Sequence, residues 1–276
     1  MTFVPLGDRR VDFTAFRRQE LMIDETSTIV HSVGSGSPLV FLHGGGTWHG
    51  LAYTEGWPAH FEVFIPHHPG FGQSANNPRI NSIQGYVDHY VELLDALNLE
   101  RVDLVGSSLG GRMAAEFTAQ HGDRVNKLVL VAPAGLDVPE HPQPNFSKIP
   151  PESFPTYLVH DLQTIHPYLP TEDDEEFAAM RAREGYAAIR ILHNGSMINP
   201  EMPSVLERIN HQTLLVWGNQ DKIVPVGQGE SWERHLKNAK LKVFDQVGHL
   251  PLDESADARY AVLDFLLSDR KTPTEA

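Results

Sequence analysis

Cysteine is absent from the 276-residue sequence, which excludes disulfides, thiolate nucleophiles and cysteine-held zinc or iron–sulfur sites. Positive charge is scarce: 22 Lys and Arg stand against 36 Asp and Glu, a formal charge of −14. A surface of that sign repels phosphate backbones and anionic headgroups, so neither nucleic acid nor membrane is expected as a partner. No apolar run approaches the roughly 18 residues a membrane-spanning helix needs. Residues 1–20 mix charged and apolar side chains and lack the continuous apolar core of a signal peptide. These absences point to a cytoplasmic location. What is present is ordinary for a globular protein: 41% hydrophobic residues, in a chain long enough for one large domain with a sizeable core.

Four short apolar runs, Leu39–Leu42, Val102–Val105, Lys127–Ala132 and Thr213–Trp217, end near Gly or Pro. Runs this short and this apolar suit strands buried on both faces of a parallel sheet. Further strands are expected at Phe61–Ile65 and Leu241–Phe244, and an N-terminal hairpin at Glu20–Asp24 and Ser27–Val33. Between them lie helical patterns. Tyr86, Tyr90, Leu93, Leu94 and Leu97 share one face, Met113, Phe117 and Gln120 mark a second helix, and Tyr260, Leu263, Leu266 and Leu267 a third. Strand and helix alternate, so the class is α/β with a mostly parallel sheet. The alternation stops between Gly135 and about Ser204. Prolines crowd the start of that stretch, and Thr171–Arg190 then reads as a helix with Thr171 and an acidic first turn at its N-terminus. Phe177, Met180, Tyr186 and Ile189 on that helix need an apolar surface to cover. The stretch is expected to be a helical cap, 135–204, inserted into a core of 1–134 and 205–276.

Gly106-Ser107-Ser108-Leu109-Gly110 is a G-x-S-x-G that follows a predicted strand and opens a predicted helix. A chance match is expected about 0.1 times in a chain of this composition. The spacing has a physical reason. A strand turning sharply into a helix holds the serine in a strained conformation, and glycines two before and two after remove side chains that would clash. His43-Gly44-Gly45-Gly46 ends another strand, where backbone N–H groups can approach a reacting carbonyl. Gly45 and Leu109, the residue after the serine, are the expected oxyanion donors. A dinucleotide loop would need glycine where His49 stands. Asp221 and His249 each follow their own strand. In parallel sheets such loops share one edge, so Ser108, Asp221 and His249 are expected to converge as nucleophile, orienting acid and base. Asp137 is the alternative acid. The other histidines among the 15 are read as solvated or hydrogen-bonded, with His43 buried and structural.

The residues HGGG at 43–46, PGFGQS at 69–74, GSSLGG at 106–111, LLVWGNQDKIVP at 214–225 and VGHLPLDE at 247–254 resemble the α/β-hydrolase fold superfamily. The similarity is to its capped branch of esterases, proline iminopeptidase-like enzymes and meta-cleavage-product hydrolases, and covers about Glu20 to Leu267 apart from the insertion. It implies an eight-stranded, mostly parallel sheet flanked by helices, a cap after strand six, and neither cofactor nor metal. Two positions depart from the pattern. His67 stands where Asp usually precedes the P-G-F-G-x-S turn, and Leu250 follows His249 where meta-cleavage hydrolases carry Trp.

Three functions follow. The first is hydrolysis of a small carboxylic ester, lactone or thioester through an acyl-enzyme. The second is hydrolysis of a C–C bond in a meta-cleavage product or diketone, for which Arg112 and Arg190 are candidate carboxylate clamps. The third is a non-catalytic receptor on the same scaffold. The expected partner is a small-molecule substrate, with a homodimer as an option. Pocket contacts are expected from Trp48, Arg112, Phe154, Met180, Ile189, Ile223 and Leu250.

Overall fold

Side chains that alternate along the central strands pass into two different cores, one on each face of a sheet. Val40 and Leu42 join one cluster, Leu39 and Phe41 the other, and Leu215 and Trp217 part from Leu214 and Val216 in the same way. Period-2 alternation with both faces apolar is what a sheet covered by helices on each side requires. A computed structural model of the chain describes residues 3–6, 9–12, 15–49, 51–170, 173–192 and 196–268.

In chain order the strands are β1 (Phe3–Leu6), β2 (Arg9–Asp12), β3 (Arg17–Ile23), β4 (Thr26–Gly34), β5 (Ser37–Leu42), β6 (Phe61–Pro66), β7 (Val102–Ser107), β8 (Val125–Val131), β9 (Thr213–Gly218) and β10 (Ala239–Phe244). The helices are α1 (Ile83–Ala96), α2 (Leu109–Gln120), α3 (Pro155–Leu158), α4 (Glu175–Arg190), α5 (Met202–Glu207), α6 (Gly227–His235), α7 (Pro251–Glu254) and α8 (Ala256–Leu267). The main sheet has eight strands in the order β10-β9-β8-β7-β5-β6-β4-β3. It is parallel except where β4 pairs with β3 and β6. The small antiparallel pair β1–β2 forms a separate two-stranded sheet, outside the strands that the sequence pattern predicts. Helices α1, α2, α5 and α6 cover one face through residues such as Tyr86, Phe117, Leu206 and Trp232, while α8 covers the other through Ala258, Val262 and Leu266.

After β5 the chain builds β6 on one side, then returns to build β7 on the other. Such a switch in strand order opens a crevice at the carboxyl ends of the two strands, where ligands bind in open α/β sheets. The loops after β5 and β7 carry His43–Gly46 and Ser108.

The chain between β8 and β9 holds α3, α4 and α5. The sequence boundary at residues 204 and 205 falls inside α5, whose Met202, Val205 and Leu206 belong to the main core. Helix α4 begins at Glu175, with Asp174 accepting the N–H of Phe177 as its cap. The expected start at Thr171 lies outside the described residues. The four apolar residues expected to form one covering face are divided. Phe177 and Met180 pack toward Trp48 and Leu250, whereas Tyr186 and Ile189 are 61% and 66% exposed. Among the described residues no helix is long and apolar enough to cross a membrane.

Candidate active site

Ser108 caps α2 at φ 53° and ψ −114°, a region an L side chain rarely occupies. Its neighbours explain how the turn closes. A Cβ on Gly106 would lie 2.4 Å from Gly110 O, and one on Gly110 would lie 2.2 Å from Leu42 O. Both glycines are therefore needed for the strand, helix and adjacent β5 loop to meet. Ser108 N donates to Val131 O at 2.8 Å, which ties the turn to β8.

Asp221 lies in the loop after β9. Its Oδ1 accepts N–H groups from Ile223 and Val224 at 2.8 and 2.9 Å, which leaves Oδ2 facing His249 Nδ1 at 2.8 Å. His249 Nε2 then lies 2.9 Å from Ser108 Oγ. Its backbone N–H donates to Leu158 O, so the loop after β10 is pinned against α3. The structure thus brings the three residues into one hydrogen-bonded chain. With Nδ1–H donated to the carboxylate, Nε2 presents a lone pair to the serine hydroxyl, the arrangement that activates a serine for attack. Asp137, the alternative acid, is exposed and makes no bond to His249.

Gly44, Gly45 and Leu109 line the same cavity as Ser108 and His249. Among the described residues no acceptor takes the N–H of Gly45 or Leu109, so both donors are free for an oxyanion. His43 is buried, as expected. Its Nε2 accepts the N–H of His68, whose own ring donates to His43 O. At the departure from the family pattern, His67 Nδ1 accepts the N–H of Gln73 inside the turn. A ring nitrogen there serves as the acceptor that a carboxylate would otherwise be.

The cavity has a volume of about 320 Å³ and its walls differ in chemistry. Phe146, Phe154, Leu158, Leu192, Met197 and Ile223 supply apolar surface; His49, Tyr53, Arg181 and Asp253 supply polar groups. Of the expected contacts, Trp48, Phe154, Ile189, Ile223 and Leu250 line it. The other two, Arg112 and Met180, do not, and neither does Arg190, the second expected clamp. Arg112 is buried against Glu116 and the carbonyl of Met197. Arg190 binds the carbonyl of Asn77 and the side chain of Asn76. Met180 stands behind the wall, packed in the Trp48 cluster. Both arginines were expected as clamps on charge alone, and each is consumed by local acceptors. The cavity arginine is Arg181, ion-paired to Glu184 at 2.9 Å. Arg181 comes from α4, Asp253 from α7, and His49 and Tyr53 from the connection after β5, and single residues drawn from such distant elements carry no spacing signal in the sequence. Asp253 alone lies within a recognised motif, four residues after His249.

A family profile described as alpha/beta hydrolase fold matches residues 37–166 and 163–256. The chain is 30% identical over 277 residues to a 2-hydroxymuconate semialdehyde hydrolase of Pseudomonas sp. strain CF600, covering 90% of this chain and 93% of that protein. It is 26% identical over 264 residues to a 2-hydroxy-6-oxo-2,4-heptadienoate hydrolase of Pseudomonas putida F1, covering 88% and 93%. Among solved structures, a bacterial membrane phospholipase A superposes with a TM-score of 0.77 at 22% identity, covering 92% of this chain and 86% of that one. That last likeness concerns the fold, which serves many chemistries.

Proposed function

Because the chain belongs to the α/β-hydrolase fold family, we propose that this hydrolase cleaves a carbon–carbon bond in a 2-hydroxy-6-oxodienoate, with Ser108, His249 and Asp221 as its catalytic triad. Of the two hydrolytic activities expected from sequence, the relatives favour the second. The observation that carries this reading is the relatedness along nine-tenths of the chain to a protein named for hydrolysing 2-hydroxymuconate semialdehyde. The cavity is compatible with it. A simple alkyl ester needs little beyond a triad and an oxyanion hole. Here polar groups from His49, Arg181 and Asp253 share the cavity with apolar walls, as suits a substrate with an ionised end and an apolar end.

In this reading Ser108 Oγ attacks the ketone carbon while His249 takes its proton. Gly45 and Leu109 N–H groups hold the oxyanion, and Asp221 fixes the tautomer and stabilises the imidazolium. The leaving carbon departs with the bonding electron pair, and water then releases the acyl group from Ser108. Phe154 and Ile223 contact the apolar substituent. The test is a pair of substrates, 2-hydroxy-6-oxo-2,4-heptadienoate and p-nitrophenyl acetate, given to the wild type and to Ser108→Ala. The dienoate should be turned over with the higher kcat/KM, and Ser108→Ala should lose both activities together with labelling by a serine-directed fluorophosphonate. Efficient ester cleavage with no turnover of the dienoate would return the protein to the ester hydrolases.

A further inference from the structure

The cavity contains a second Asp–His pair that the triad does not use. His49 Nδ1 lies 3.1 Å from Asp253 Oδ1, and the two side chains are only 14% and 8% exposed. Both line the cavity with Ser108 and His249. Asp253 engages Nδ1, and among the described residues no group engages Nε2, so Nε2 is the ring atom left for a ligand. Three charged groups act on the ring: Asp253, Glu184 and Arg181. Burial opposes a charge on it and Arg181 opposes it further. The carboxylates of Asp253 and Glu184 outweigh both and raise the His49 pKa above the usual histidine value. The protonation state matters because Asp253 fixes the Nδ1 proton. A neutral His49 would offer only a lone pair at Nε2, whereas the cation offers an N–H.

We propose that His49, held by Asp253, donates a hydrogen bond to the C2 oxygen of the substrate's leaving half as the carbon–carbon bond breaks. The inference rests on the carbon–carbon reading above. An ester expels an oxygen that carries its own charge. A carbon leaving group must pass its electron pair to a distant atom. In the 2-keto tautomer, Ser108 Oγ adds to C6 and its proton moves to His249 Nε2. Collapse of the oxyanion re-forms the C6 carbonyl and breaks C5–C6. The bonding pair forms C4=C5, the C3=C4 pair forms C2=C3, and the C2 carbonyl pair comes to rest on its oxygen. Charge therefore appears at C2 oxygen only in carbon–carbon cleavage, and a donor placed there acts on the transition state rather than on binding alone. The proton held by His249 completes the leaving dienol, which returns His249 to its neutral form for deacylation. Asp253 is the positioning residue of the pair.

The test compares the wild type, His49→Gln and Asp253→Asn on the same dienoate and p-nitrophenyl acetate, with fluorophosphonate labelling of Ser108 as the measure of a folded site. His49→Gln should lower kcat for the dienoate about ten- to a hundredfold more than kcat for the ester, the worth of a hydrogen bond from a charged donor. The wild-type dienoate profile should decline at alkaline pH as His49 loses its proton, with no matching decline for the ester, and Asp253→Asn should move that decline to lower pH. Equal losses on both substrates, or matching alkaline profiles, would overturn the role of His49 while leaving the carbon–carbon reading intact. A wild type that hydrolyses the ester but not the dienoate would overturn both.

Discussion

Ser108 occupies a backbone conformation that costs of order 1–3 kcal/mol, and the surrounding turn imposes it. The N–H of Ser108 is fixed on Val131 O, and the flanking glycines allow β5 to approach within van der Waals contact. Asp221 is fixed as firmly, since two backbone N–H groups occupy one oxygen and leave the other for His249. Replacing that carboxylate by an amide removes the charge and invites the wrong imidazole tautomer. Asp221→Asn should lower the rate by about 10⁴, with an unchanged urea midpoint. Asp137→Asn should leave the rate within twofold of wild type, because Asp137 is exposed and does not touch His249. A larger loss for Asp137→Asn in steady-state assays would reverse the assignment.

At the scale of elements, two carboxylates, one buried and one half-buried, join the inserted segment to the loops that carry the chemistry. Glu184 on α4 is fully buried. It accepts the Thr47 N–H at 3.2 Å and the Thr47 hydroxyl at 2.7 Å, both beside the oxyanion loop, and the Gly72 N–H at 3.2 Å. Arg181 supplies the counter-charge. Glu254 does the same on the other side, accepting N–H groups from Gly248, His160 and Asp161. Burial raises the Glu254 pKa, against the three hydrogen bonds that favour its ionised form. Removing the Glu184 carboxylate strands several buried donors at once. Glu184→Ala should reduce the unfolding free energy by about 3 kcal/mol, read from urea denaturation. A loss under about 1 kcal/mol would mean that water replaces the carboxylate without penalty.

At the scale of the whole molecule, five buried histidines set a limit on acid tolerance. The His43 and His68 rings lie 3.6 Å apart, the His31 and His67 rings 5.1 Å apart, and His89 meets the Thr28 hydroxyl at 3.2 Å. Burial pushes His31 and His89 down to about 4 and His43 to about 3, and holds His67 and His68 well below the usual value. In the unfolded chain each histidine takes up a proton near its usual pKa of about 6.5. Below that pH the unfolded state binds more protons than the folded state, so stability falls as the pH falls. The fall continues toward pH 4, where His31 and His89 begin to accept protons in the folded state too. Each histidine contributes about 1.4 kcal/mol per pH unit within that window. His49, raised rather than lowered, has the opposite sign but is a single group. Thermal unfolding measured at pH 7.5, 6 and 5 should therefore show a steep loss of Tm. A Tm that stays constant across those values would show that the histidines remain accessible to protons in the folded protein.

The sequence alone determined the sheet, the strand-to-helix turn at Ser108 and the identity of the three hydrogen-bonded residues. These rest on local rules: apolar runs with short spacing, glycines where a Cβ cannot fit, and loops that a parallel sheet must bring to one edge. Strand ends differ from the expected ones by up to three residues, the start of β3 most of all, because the final hydrogen bonds of a ladder depend on the neighbouring strand. The tertiary structure decided the rest. Whether an arginine faces a ligand depends on which acceptors surround it, so Arg112 and Arg190 turned to local partners and Arg181 took the cavity. Which face of α4 is covered depends on where the helix lands, so Tyr186 and Ile189 remained exposed. The pairing of His49 with Asp253 joins residues 204 positions apart. No periodicity or motif links such positions; only the folding of α7 and of the loop after β5 onto one cavity brings them within hydrogen-bonding distance.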